Sequence, residues 1–246
     1  MMFDEVSFSY ALKRALEKEK EDKGIGTLGE KLLHRTLKYY LEPDESCHEI
    51  SCYGSVADIK NESGVIEIQT RSFVKLVPKL ERFLERETVM VVYPIIINKV
   101  ICRINTETGE TLPARKSPKR GRLSDALAEL STIRRFIPHD RLKILIVTVD
   151  VTETRTIDKQ IRVGRKKTSK INCIPTQINE MLLLSDSEDY RQLLPIGLPQ
   201  SFTSFEFEKY SGLHNINAHS ALMLLLQLGI ITRERKGREP YIYSVK

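Results

Sequence analysis

Apolar positions recur at helical spacing twice near the N-terminus. Over residues 4–22, Ala11, Leu12, Ala15 and Leu16 stand among lysines and glutamates. After an interruption at Gly24 and Gly26, the apolar set Leu28, Leu32, Leu33, Leu37, Tyr40 and Leu41 predicts a second helix over 27–41, which Pro43 stops. The period then shortens to two. Residues 48–53, 55–60 and 64–69 read as a meander of short strands, with turns at Gly54 and at Asn61, Glu62, Ser63 and Gly64. A helical stretch over 73–86 precedes 89–97, a continuous apolar run rich in β-branched residues, as in a strand buried on both faces. Residues 105–122 read as a loop, 124–136 as a helix and 143–151 as another buried strand. The basic stretch 162–170 reads as a hairpin or loop, and Pro175 sits at a plausible boundary. Helix, three strands, helix, strand, helix and strand in that order predict a mixed α/β core over 1–174.

The tail, 175–246, has a different pattern. A helix starts at Thr203 or Ser204 and ends at Gly212; a second opens at 215–217, carries Ala218, Ala221, Leu222, Leu224, Leu225 and Leu228, and closes at Gly229. Strand, basic turn and strand follow.

The meander carries the clearest chemistry. In SVADIK at 55–60 and GVIEIQ at 64–69, alternation puts Ala57, Ile59, Ile66 and Ile68 on one face. Val56, Asp58, Lys60, Val65, Glu67 and Gln69 fall on the other. A tight turn centred on Glu62 and Ser63 pairs Lys60 with Val65, and so Asp58 with Glu67, at Cβ separations of roughly 4.5–5.5 Å. Two carboxylates so placed repel unless a cation lies between them, and hard ions such as Mg²⁺ take oxygen ligands of this kind. The plainer reading is an exposed acidic face whose side chains splay apart.

These residues resemble the core of the PD-(D/E)XK, or restriction-endonuclease-like, nuclease superfamily over roughly 24–100. Asp58 matches the first acid of the motif, Glu67 the second, and Glu30 the helical glutamate. Gln69 stands where the family usually has lysine, and carries no charge. Lys60 on the same face, or Arg71 if the strand continues, could substitute. The resemblance implies a mixed-sheet core flanked by helices, with Mg²⁺ (or Mn²⁺) held by Asp58, Glu67 and Glu30 and phosphodiester hydrolysis as the reaction. Glu30 also stands three residues after Thr27, a capping-box spacing, and His34 lies one turn further on.

Helix, turn, helix, glycine and a β-hairpin with a basic tip resemble a small winged helix-turn-helix domain. The resemblance implies a second helix reading DNA with Asn215, Asn217, His219 and Ser220, and a wing meeting phosphates with Arg233, Arg235, Lys236 and Arg238.

Composition alters this picture little. Across 246 residues the charged fraction is 29% and the hydrophobic fraction 41%, ordinary for a soluble protein, and the net charge of +6 favours a polyanionic partner. Cys47, Cys52, Cys102 and Cys173 form no C-x-x-C pair and suit free thiols in a reducing cytoplasm. No segment has the ~18 apolar residues needed to span a bilayer, and residues 1–23 lack the apolar run of a signal peptide. A cytoplasmic Mg²⁺-dependent DNA endonuclease is expected, and paired cutting of two strands often needs a homodimer. Two other readings stay open: a nuclease-like DNA-binding protein or regulator without activity, and an interaction protein within a larger complex.

Overall fold

The two N-terminal helices form where the 3.6-residue spacing puts them: α1 is Glu5–Glu21 and α2 is Leu28–Leu41. Their contact uses small residues opposite large ones. Ala11 and Ala15 of α1 let Leu32 and Tyr39 of α2 approach closely, and Ile174 packs on the same cluster. In this computed structural model the described residues are 4–21, 28–158, 167–235 and 237–246.

The strands are β1 (His48–Cys52), β2 (Ser55–Asn61), β3 (Gly64–Ile68), β4 (Val89–Asn105), β5 (Thr111–Lys116), β6 (Leu142–Asp158) and β7 (Lys167–Leu184). They form a mixed seven-stranded sheet in the order β1-β2-β3-β4-β6-β7, with β5 paired to β4 and helices flanking it. Pairing is antiparallel between β2 and β3 and parallel between β3 and β4. The helical stretch after β3 is a 3-10 turn, Phe73–Leu76, followed by α3, Val77–Phe83. Further on come α4 (Asp125–Leu130) and a second 3-10 turn, Ser131–Ile133.

Three sequence expectations change. β4 extends well past 97, and its outer half supplies the pairing edge for β5, which lies inside the expected loop at 105–122: Val100 pairs with Lys116 and Ile101 with Arg115. Pro94 is tolerated in β4 because the pairing with β3 ends at Val92, so its missing N–H breaks no bond on that side. β7 runs through 174–175, the expected boundary; as the last strand in the sheet order it can hold Pro175, for an edge strand has one unpaired side. Of the basic stretch 162–170, only 167–170 lie among the described residues, at the start of β7.

The chain divides into two compact units. One comprises 1–50, 96–121 and 147–181; the other comprises 51–95, 122–146 and 182–246. The tail therefore shares a unit with the β2–β3 hairpin, α3 and α4. Ser124 at the start of α4 donates to the Ser211 carbonyl at 3.0 Å, and Arg122 to that of Tyr210 at 3.0 Å. The tail itself consists of β8 (Ser201–Thr203), α5 (Ser204–Ser211), α6 (Ile216–Gln227), β9 (Ile231–Glu234) and β10 (Ile242–Val245), with an antiparallel sheet β8-β10-β9. A capping box between Thr203 and Glu206 starts α5, and Gly212, at φ 74°, ends it. Phe202 stacks on Phe207 and on Tyr243 at ring-centroid distances of 5.9 and 5.8 Å, fixing the small sheet against α5.

Gly64 sets the geometry of the carboxylate hairpin. Its φ is 122°, and a Cβ there would lie 2.2 Å from the Thr88 carbonyl oxygen. Gly64→Ala should cost about 1–3 kcal/mol through backbone strain alone, read as a lower midpoint in urea unfolding. An unchanged midpoint would mean that β3 can move away from Thr88 freely.

Candidate active site

The β2–β3 register follows the expected turn: Asn61 pairs with Gly64, Lys60 with Val65 and Ile59 with Ile66. One step further the side chains take over from the backbone ladder. Asp58 Oδ2 accepts the Ile68 N–H at 2.8 Å, and Glu67 Oε1 receives the Asp58 N–H at 3.4 Å. The two carboxylates are thus tied to each other's strand.

Their environment differs from the expectation of an open polar face. Val65 and Glu67 are 1% and 0% exposed, so β3 is covered on the carboxylate side as well as on the side of Ile68. The group that enters from this side is Lys79 of α3, whose Nζ donates to Glu67 Oε1 at 3.0 Å and to Oε2 at 2.8 Å. Sequence reasoning missed Lys79, although a signal was present. Phe73, Leu76, Leu80 and Phe83 form the buried stripe of this helical stretch. Lys79 lies three residues after Leu76 and four before Phe83, which turns its stem toward the sheet. A lysine on an apolar stripe needs a buried carboxylate partner.

Burial pushes the Glu67 carboxyl up from its ordinary 4.5 to about 7; the negative charge of Asp58 adds to this, and the Lys79 ammonium opposes it. Glu67 therefore exchanges its proton near neutral pH.

The other expected residues are dispersed. Lys60 is engaged by Glu87 at 3.2 Å, and Glu87 also accepts from the Tyr53 hydroxyl at 2.5 Å. Gln69 is half-buried just past the end of β3, with its backbone N–H on the Val92 carbonyl at 2.9 Å. Arg71 lies in a bend, since the strand stops at Ile68. Glu30 is the third residue of α2 and belongs to the other unit, and its side chain lies outside the described residues, as does Thr27. His34 is half-buried on α2.

Asp58 and Glu67 offer oxygen donors of the type that hard divalent cations take, and the charge of Asp58 adds to burial in raising the proton affinity of Glu67. Among the described residues no group of three or more His, Cys, Asp or Glu comes together to hold a metal. All four cysteines are free thiols. No helix among the described residues is long and apolar enough to cross a membrane.

In the tail, Asn217 and His219 are exposed near the start of α6, and Ser220 is half-buried. Asn215 precedes the helix at φ 51°, its N–H held by Glu208 at 3.1 Å. Arg233 and Arg235 lie over the Tyr241 ring at 4.4 and 5.1 Å, a support for the wing that the sequence pattern does not reveal. Arg238 is exposed, and Lys236 lies outside the described residues.

Fold and site together define a mixed α/β protein in which a half-buried Asp58 stands beside a buried Glu67 held by one lysine. The chain belongs to the family described as Domain of unknown function (DUF8091), whose model matches residues 31–185 and so spans Asp58, Glu67 and Lys79. An "Uncharacterized protein" of Treponema pallidum (strain Nichols) is 29% identical over 227 residues, covering 89% of this chain and 86% of that protein. The uncovered share is shorter than the stretch after 185, so this similarity reaches into the tail. No solved structure matches the chain.

Proposed function

We propose that the chain is a Mg²⁺- or Mn²⁺-dependent DNA endonuclease with a restriction-endonuclease-like core and a winged helix-turn-helix tail. The observation that carries this reading is the exchange of hydrogen bonds by Asp58 and Glu67 between β2 and β3, with one ammonium group reaching Glu67 from α3. Asp58 and Glu67 would hold the metal. When bound, the ion lowers the pKa of a coordinated water and offsets charge on the phosphoryl oxygens. Lys79 supplies the positive charge that Gln69 lacks, and it can turn from Glu67 to a phosphate oxygen as that oxygen gains charge. The direct test is cleavage of mixed DNA substrates by the wild type in Mg²⁺ or Mn²⁺, with Asp58 substitutions as the control.

The tail supports a DNA partner through exposed Asn217 and His219 on α6 and through Arg233 and Arg235 braced on Tyr241. Replacing Arg233, Arg235 and Arg238 by alanine should weaken DNA binding on any sequence. The slope of log affinity against log salt should flatten by about 0.9 for each phosphate that the variant no longer neutralises. Unaltered affinity and slope in the triple variant would remove the wing from the DNA interface.

One observation favours a second reading, a nuclease-like DNA-binding protein without activity. Lys79 already satisfies both Glu67 oxygens, so the Glu67 charge is compensated without a metal. Duplex binding without cleavage in either metal would decide for it.

A further inference from the structure

An open cleft of about 520 Å³ lies along one flank of α6, lined by Ser131, Thr132, Arg134, Arg135 and Ser220. All five residues belong to one compact unit. Among the described residues no carboxylate and no apolar side chain lines it; every lining side chain is a hydroxyl or a guanidinium. That chemistry suits an anion of tetrahedral oxygens and suits neither a metal ion nor an apolar ligand.

The cleft is held in place from both sides. The 3-10 turn Ser131–Ile133 continues directly from α4, and fully buried Ile133 pins it, leaving Thr132, Arg134 and Arg135 exposed. Ser131 donates its hydroxyl to the Ala128 carbonyl at 2.6 Å. Arg135 is oriented by an ion pair with Glu81 and by the Phe136 ring, 4.6 Å from its guanidinium carbon. From the other side, Ser220 and Gln227 stand seven residues apart on α6, two turns along one flank. Gln227 Nε2 donates to the Arg134 carbonyl at 3.0 Å, which fixes the backbone that carries Arg134. Ser220 follows exposed His219 directly, so the cleft borders the surface that α6 would turn to DNA. Backbone phosphates line the edges of the groove into which such a helix fits.

We propose that this cleft binds a backbone phosphate of the duplex that α6 enters, with Arg134, Thr132 and Ser220 as its donors. The inference rests on the DNA-binding reading above. It adds a contact from the segment after α4 to those of α6 and the wing, and so sets the angle and register of α6 in the groove.

The test is a salt titration of duplex binding by fluorescence anisotropy, using the full chain and duplexes of unrelated sequence. Arg134→Ala should bind about fivefold more weakly near 0.15 M salt, and its salt slope should be smaller by about 0.9, the value of one phosphate contact. The loss should be the same on every sequence. Arg134→Lys should keep the slope, since it keeps the charge, and recover part of the affinity. Thr132→Val should weaken binding with the slope unchanged. Arg134→Gln is the second variant should Arg134→Ala fail to fold. If the wild type binds DNA while the Arg134 variants match it in affinity and slope, this inference falls and the DNA-binding reading stands. If inorganic phosphate raises the melting temperature of the wild type but not of Arg134→Ala, while both bind DNA equally, the cleft takes free phosphate and the inference is again overturned. Absence of DNA binding by the wild type at any salt overturns both.

Discussion

Asp58→Asn is expected to lower Mg²⁺-dependent DNA cleavage by at least about a hundredfold, because losing even an outer-shell partner of a metal site typically costs 10–100-fold. Asparagine is the informative substitution. Asp58 accepts the Ile68 N–H at 2.8 Å, and an amide oxygen can still accept it, so the variant removes charge and keeps the hairpin. Asp58→Ala removes both, leaving an unmet backbone donor worth about 1–3 kcal/mol. The Asn variant also relieves the like-charge repulsion that raises the Glu67 carboxyl, so Glu67 should ionise at lower pH than in the wild type. Binding to uncleaved duplex should keep its salt slope, because α6 and the wing are untouched. Wild-type cleavage by Asp58→Asn would remove the hairpin from the chemistry. Loss of binding together with cleavage would instead make Asp58 part of the DNA-contacting surface.

The register of the hairpin next to its turn was legible because three cues agreed in a short stretch. The alternation of SVADIK and GVIEIQ, the turn residues between them and a tight connection admit one register, and Lys60 does pair with Val65. The environment of the pair was not legible, since it depends on contacts distant in sequence. Glu67 lies under α3, and its partner Lys79 is twelve positions away on an element that a strand pattern does not describe. β7 escaped notice for a local reason. Its buried positions Cys173 and Pro175 are odd-numbered, then Ile178, Leu182 and Leu184 are even-numbered, so the alternation changes parity midway, with a proline beside the change. In the tail, Thr203, Gly212 and Gly229 each end or start an element by their own backbone chemistry, and local chemistry can be read from sequence. Its attachment to α4 through Ser124 and Arg122 joins residues nearly ninety positions apart and leaves no pattern along the chain.

Lys79→Met is expected to lower stability in a manner that depends on pH. In the wild type the Glu67 carboxyl titrates near 7 when folded and near 4.5 when unfolded. Between those values the unfolded chain has released a proton that the folded chain retains, so stability falls as pH rises. The contribution of Glu67 is fully present below about 4.5 and is lost as pH passes through about 7. Without Lys79, burial and Asp58 act on Glu67 unopposed, and the folded carboxyl titrates higher still. The decline in stability should then extend to higher pH than in the wild type. Near pH 5 Glu67 is protonated in both proteins and their melting temperatures should nearly coincide. At pH 8 the variant should be weaker by about 2 kcal/mol, less than the ~3–5 kcal/mol for breaking a fully buried pair, because the Lys79 side chain is 27% exposed. Mg²⁺ should raise the melting temperature of the wild type more at pH 8 than at pH 6, since a metal requires the ionised carboxylates. A gap between the two proteins that does not vary with pH would show that Lys79 acts through packing alone, and a Mg²⁺ effect that does not vary with pH would place the ion away from Glu67.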